Sequence, residues 1–402
     1  AASDVYKRQA LELANQVLSE EPHQIDVLLA RSYIDAQRGE WEKALKGFRQ
    51  VMAQPLASGV VHGRCLSALY LSPDYHLEAE AETARMHLEL GQYADARHLL
   101  EQLLERCDTD SNVFGPDFRA RLWHQLGRCF WAMGGEFSTS PAYAYRCFIE
   151  SIKRLGTYAP AFTSLGQYYD EAISPSDVVR SSKCFQRAFE LDAREYEAAR
   201  RLVQHFSEQR EWGLVDVIAR RVVEAEGGAD VLTGEASRVH VTQNPWVWKA
   251  IGIVESTQGH ADAAVAAFQV ALRASSKDVD AWVRLGEAYV ESGRPVAALK
   301  TYDHALHLLG KTDREESHYW HIYYDVAEAQ RRLGRLDPAT DLLERVLRLS
   351  PQQYGVKVVL AETRLAHARH LLTGGYSLRA LQALHMAIHN AAEALELSLI
   401  HI

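Results

Sequence analysis

Cysteine is scarce and poorly placed for cross-linking: Cys65, Cys107, Cys129, Cys147 and Cys184 are odd in number, never two residues apart, and absent from the second half of the chain. Such usage argues against a disulfide framework or a zinc knuckle and fits a reducing compartment. Asparagine is rarer still, and none of Asn15, Asn112, Asn244 and Asn390 begins an N-x-Ser/Thr glycosylation acceptor. No uninterrupted apolar run approaches the ~20 residues of a membrane span. Positive charge is not in excess either, because 44 Lys and Arg face 53 Asp and Glu for a formal net charge of −9. A global field able to hold nucleic acid by counterion release is therefore missing, so RNA contact is expected only locally or indirectly. What remains is an ordinary globular mixture, 402 residues at 47% hydrophobic and 24% charged. The expected location is cytoplasmic, with the nucleus as the alternative.

Internal self-similarity sets the architecture. Trp248, Ile251, Gly252, Gly259, Ala264, Phe268 and Ala271 recur as Trp282, Leu285, Gly286, Gly293, Ala298, Tyr302 and Ala305, every offset being 34. An aromatic, an apolar residue and a glycine within one helix place a bulky ridge beside a point where a neighbouring helix can come close. Gly259 and Gly293 supply the turn, and Ala264 and Ala298 let the second helix approach the first. The same register extends outward through Trp123, Leu126, Gly127, Phe130, Ala144 and Phe148, and through Phe162, Leu165, Gly166, Tyr169, Phe185 and Ala188. Weaker copies are Gly39, Trp41, Ala44 and Phe48; Gly91, Tyr93, Ala96 and Leu100; Leu202, Phe206, Trp212 and Val222; Tyr323, Val326, Gly334, Ala339, Leu343 and Val346; and a degenerate Ala380, Leu384 and Ala387. A hairpin of this kind cannot bury its own apolar face, so hairpins stack. The fold class is all-α, an α-solenoid of eight full hairpins preceded by the second helix of a ninth at residues 10–20.

Departures from the period place insertions. Steps of 39 from Trp123 to Phe162 and 41 from Trp282 to Tyr323 put extra residues at Gly134–Pro141 and Gly310–Ser317. Ala53–Pro73 has room for a short additional helix. The longest interruption, Glu226–Pro245, reads as an insertion or connection between a first solenoid segment, 10–225, and a second, 246–396. The ends, 1–9 and 397–402, have a different origin in this reading, since one coding of Asp4–Gln9 is the reverse complement of one coding of Leu397–Ile402. They are expected to be adapter-derived artefact.

Motifs of chemistry are weak. Gly310-Lys311-Thr312 ends like a phosphate loop, but Ala305 stands where that motif needs glycine and a helix precedes it where a strand is required. His385 and His389 have metal-ligand spacing, yet no general-base Glu lies between them. His318 with His321, and His367 with His370, lack a carboxylate or thiol at ligand spacing. No nucleophile elbow or dinucleotide loop occurs, so no catalytic residue, cofactor or metal ion is expected. Arg200-Arg201, Arg220-Arg221 and Arg331-Arg332 have acidic neighbours and read as solvated helix faces. Trp131, Trp246 and Trp320 lie off the aromatic repeat position, which makes them candidates for partner contact or for burial against an insertion.

These positions resemble the tetratricopeptide family across nearly all of residues 10–396. That resemblance implies a right-handed superhelix whose concave surface is lined by the first helix of each hairpin. It also implies ligand contacts from four positions of that helix, here Arg121, His124, Arg128 and Trp131; Pro160, Thr163, Gln167 and Asp170; Trp246, Lys249, Ile253 and Ser256; and Asp280, Val283, Glu287 and Val290. The Asn-rich clamp of the chaperone-binding subset is missing. The strings FGPDFRARLWHQLGRCFW, SSKCFQRAFELDAREYEAARRLV, NPWVWKAIGIVE and AWVRLGEAYVESGR, within about 114–310, further resemble the scaffold subunits of eukaryotic superkiller complexes. This resemblance implies a non-catalytic scaffold that holds an RNA helicase and a WD-repeat protein, meets an exosome adaptor, and supports exosome-mediated 3′-to-5′ RNA decay. The alternatives are a generic peptide-binding adaptor for co-chaperone or transport work, and the repeat arm of an enzyme.

Overall fold

The computed structural model describes residues 2–54, 75–109, 115–226, 244–309 and 320–400, and its regular elements among them are all helical. They fall into two compact units, Ala1–Arg210 and Glu211–Ile402. The insertion expected at 226–245 falls mostly on 227–243, which lie outside the described residues, as do 55–74 and 310–319, where other insertions were placed.

In the first unit α1 (Ala2–Glu20) packs on α2 (Ile25–Gln37), which pairs with α3 (Trp41–Ala53). The helix read at 10–20 thus continues back through the residues ascribed to adapter. The next hairpins are α4 (Tyr75–Glu89) with α5 (Tyr93–Thr109), α6 (Pro116–Met133) with α8 (Arg146–Arg154), and α9 (Ala159–Gln167) with α10 (Val178–Leu191). The unit closes with α11 (Tyr196–Glu208). The second unit starts with α12 (Trp212–Ala225) and continues as α13 (Pro245–Thr257) with α14 (Ala261–Ala274), α15 (Val279–Glu291) with α16 (Pro295–Leu309), α17 (Trp320–Arg332) with α18 (Leu336–Leu349), and α19 (Tyr354–Thr373) with α20 (Ser377–Ile400). Eight helix pairs therefore pack as hairpins inside the units among the described residues. The weak copy around Leu202 and Val222 is the one whose helices, α11 and α12, fall in different units.

Helix ends follow from local chemistry. Proline occupies the first turn of α6, α9 and α13, where a missing N–H is harmless. The Asp278 carboxylate accepts from the Ala281 N–H at 3.2 Å, capping α15. At the end of α13 the chain turns through Gly259 at φ +80°, and the His260 N–H donates to the Glu255 carbonyl at 2.9 Å. That left-handed turn requires glycine and orients α14 back along α13. Gly39, Gly91, Gly293, Gly334 and Gly375 repeat it, whereas the corresponding turn between α11 and α12 holds Arg210 at φ +60°.

Packing inside a hairpin depends on close approach at the middle of the first helix. A Cβ added at Gly127 would stand 2.5 Å from Phe148, at Gly166 2.7 Å from Phe185, and at Gly252 2.6 Å from Phe268; Gly286 is covered by Tyr302 in the same way. Trp248, Ala264 and Ala298 are fully buried, while Trp123, Phe162 and Trp282 at the aromatic repeat position are half-buried. In the first hairpin the glycine has changed helices, and Gly47 of α3 lies against Ser32 of α2.

The insertion after α6 folds into the core. It forms the short α7 (Glu136–Thr139) and a π-helical stretch over Pro141–Tyr145 before α8 begins. Phe137 stacks on Phe130 at 5.7 Å and meets Tyr143 edge-on at 4.9 Å. The Tyr168 hydroxyl, from the following hairpin, donates to the Thr139 carbonyl at 2.8 Å. The inserted residues thus bind their own solenoid through aromatic and hydrogen-bond contacts.

Candidate interaction face on the first helices

Neighbouring first helices touch along each unit, α2 on α4, α4 on α6, α6 on α9 and α9 on α11, then α13 on α15 and α15 on α17. The side chains implied as partner contacts lie along these seams, and most of them already hold one another. Arg121 of α6 binds both carboxylate oxygens of Glu78 on α4, at 2.7 and 2.5 Å, and the Tyr33 hydroxyl donates to the same carboxylate at 2.8 Å. Burial disfavours the Arg121 charge, but the bonds and charge of Glu78 outweigh it and raise the guanidinium's pKa. Arg128 reaches Glu89 at 3.0 Å.

His124 is buried, with Nε2 at 2.9 Å from Ser164 Oγ of α9 and its ring edge-on to Tyr158 at 5.5 Å. Burial, reinforced by the Arg128 charge, pushes its pKa down to about 3, so the ring is neutral. Trp131 is half-buried against Tyr168 at 6.3 Å and joins the core that contains the insertion. Gln167 closes α9 half-buried, and Pro160 begins that helix. Thr163 donates to Glu195 at 2.6 Å, and Asp170 accepts from Arg201 of α11 at 2.9 Å.

In the second unit the Trp246 indole N–H donates to Asn244 at 3.3 Å, and Trp320 packs half-buried against the α15–α19 core. Lys249 of α13 pairs with Asp278 at 3.3 Å and Asp280 at 2.5 Å. Arg284 adds its Nε at 3.4 Å from Asp280. Burial would raise the Asp280 pKa, but Arg284 and Lys249 lower it. Ser256 donates to Glu291 at 3.3 Å, Ile253 packs against the α14–α15 core, Val283 is buried and Val290 half-buried. Glu287 is half-buried without an ion-pair partner among the described residues.

The partners missed by sequence reasoning are Glu78, Glu89, Glu195 and Arg201. Each stands one repeat from its mate, at separations of 43, 39, 32 and 31 residues. The available signal was opposite charge at neighbouring register positions, and it carries no weight until the hairpins are stacked. The arginine pairs do lie on acidic faces: Arg200 bonds Glu197, Arg220 bonds Asp216 and Glu255, and Arg331 and Arg332 share Glu328. His389 sits 3.2 Å from Glu393 and His367 3.3 Å from Asp337. Among the described residues no group of three or more His, Cys, Asp or Glu could hold a metal ion, and no helix is long and apolar enough to cross a membrane. Burial raises the thiol pKa of Cys129 to about 11 and of Cys147 to about 12, which leaves both unreactive.

A tetratricopeptide-repeat family model matches residues 250–314. The chain is similar to Superkiller protein 3 of Schizosaccharomyces pombe, 36% identical over 253 residues that cover 63% of this chain and 17% of that protein. It is also similar to Superkiller protein 3 of Saccharomyces cerevisiae, 26% identical over 376 residues, 92% of this chain and 24% of that protein. It therefore spans between a sixth and a quarter of the length of these relatives. Among solved structures, the APC/C hetero-tetramer Cut9–Hcn1 aligns over 99% of this chain and 94% of that one at 13% identity and a TM-score of 0.41.

Proposed function

Starting from a tetratricopeptide-type α-solenoid similar to Superkiller protein 3, we propose that the chain is a non-catalytic protein-interaction scaffold of the superkiller type. It holds an RNA helicase and a WD-repeat subunit in a cytoplasmic complex that supports exosome-mediated 3′-to-5′ RNA decay. The observation that carries this reading is the 36% identity to Superkiller protein 3 over 253 residues of stacked hairpins. The physical basis is geometrical. Within each unit the stacked hairpins present a continuous surface, and ion pairs hold several neighbouring first helices in fixed register, so docking sites on that unit keep a fixed spacing. RNA is engaged through the bound helicase, in line with the net charge of −9.

The test is an affinity pull-down from eukaryotic cytosol with the 402-residue chain as bait and mass spectrometry as readout. Recovery of an RNA helicase together with a WD-repeat protein is the expected result. Recovery of chaperones or transport cargo in their place would overturn it in favour of a peptide-binding adaptor.

A further inference from the structure

Several seams between first helices pair an acid on one helix with a base on the next, whereas α2 meets α4 through Tyr33 and Glu78, and α6 meets α9 through His124 and Ser164. Glu78 faces Arg121, Glu89 faces Arg128, Asp170 faces Arg201, Asp280 faces Lys249, and Glu362 faces Arg331 at 3.5 Å. The seam of α15 with α17 departs from this pairing. Glu287 on α15 and Asp325 on α17 are both half-buried carboxylates, and neither has an ion pair or hydrogen bond among the described residues. Of the two nearby bases, Arg284 already has its ion pair with Asp280, and exposed His321, one turn before Asp325 on α17, makes no ion pair with it among the described residues. Burial raises the pKa of both acids; the charge of Asp325 adds to that of Glu287, Arg284 opposes the shift at Glu287, and His321 followed by Arg284 opposes it at Asp325.

A second observation points at the same place. The Tyr302 hydroxyl is wholly buried and makes no hydrogen bond among the described residues. After burial itself, Glu287 and Asp325 are the charges that most favour retention of its proton. A buried donor without an acceptor costs free energy, as do two desolvated carboxylates without a directly bonded cation. Half-buried Val290 and Tyr324, on the same two helices, flank the acids with apolar surface.

We propose that the α15–α17 seam receives a lysine or arginine side chain of a protein partner, its charged head held between Glu287 and Asp325. The long apolar stem of such a side chain suits a half-buried slot with Val290 and Tyr324 at its edge, which a small inorganic cation would leave unfilled. The site deepens the scaffold reading, on which it rests, by assigning a basic anchor to one partner.

The test uses fluorescein-labelled hexa-arginine as probe, with fluorescence anisotropy at physiological ionic strength on the full chain. Glu287→Gln combined with Asp325→Asn is expected to weaken binding at least about tenfold while leaving the melting temperature unchanged or raised. A control with the same net charge, Glu105→Gln with Glu136→Gln at two exposed acids in the first unit, is expected to stay within about twofold of the starting chain. Equal losses in both pairs would overturn the proposal, as would a fallen melting temperature in the first, which would mark the two acids as structural. Because the probe is a simple peptide, its binding can succeed while the pull-down recovers no helicase, so the two readings fail separately.

Discussion

Two kinds of hairpin recur among the described residues, and they solve the same packing problem with different allocations of volume. In α6/α8, α9/α10, α13/α14 and α15/α16 the first helix contributes a glycine and the second a phenylalanine or tyrosine that lies on it. In α4/α5 and α17/α18 the same register holds Ala84 with Leu100 and Ala327 with Leu343, all wholly buried in shared cores. What is held constant is the volume filling the gap between two helices at close approach, and the residue types vary around it.

The most severe way to break that comparison is Gly286→Trp. No space exists between α15 and Tyr302 even for a methyl group, so a loss of about 3 kcal/mol or more is expected, read as a drop in the thermal unfolding temperature. Unchanged unfolding would show that this register is wrong. A double-mutant cycle sharpens the point by converting one class into the other. Gly252→Ala and Phe268→Leu should each cost about 1–3 kcal/mol in urea unfolding, the first by crowding and the second by a cavity. The double variant should be better than the sum by at least about 1 kcal/mol, because the leucine gives the alanine room. Strict additivity would refute volume compensation. The smallest expected effect lies at the turns, where every described first-to-second helix turn with positive φ has glycine except that of Arg210. Left-handed backbone costs a residue with Cβ about 1–2 kcal/mol, and the flexibility of glycine when unfolded returns part of it. Arg210→Gly should therefore stabilise the chain by about 0.5–1 kcal/mol, measured as a raised urea midpoint, whereas an unchanged or lowered midpoint would mean that Arg210 has compensating contacts.

This division also explains what was legible in the sequence. The Gly–aromatic hairpins stood out because glycine, tryptophan and phenylalanine are rare enough for their spacing to be seen. Ala84 with Leu100 and Ala327 with Leu343 read only as weak copies, since alanine and leucine are among the commonest residues of the chain. The first helix of the last hairpin, α19, carried no recognisable signature at all. The candidate face was legible as a set of positions but not as chemistry. Arg121, Arg128, Asp170 and Lys249 are spoken for by residues a repeat away, and only the stacked structure shows Glu287 without such a mate. The insertion after α6 was placed correctly, but its aromatic residues gave no hint that Phe137 and Thr139 would reach into two successive hairpins.

That last contact changes how the first unit should come apart. A stack in which each hairpin touches only its neighbours can lose structure one repeat at a time from either end, as a zipper opens. The insertion joins the hairpins around it with a stacked ring pair and a hydrogen bond from Tyr168 to Thr139, beyond the contacts that stacking alone would provide. Helices α6 to α10 then behave as one cooperative block, and backbone amides across them should exchange with solvent at a common rate while the outer helices exchange sooner. A segment that lengthens the repeat thus makes a firm middle in an otherwise divisible unit.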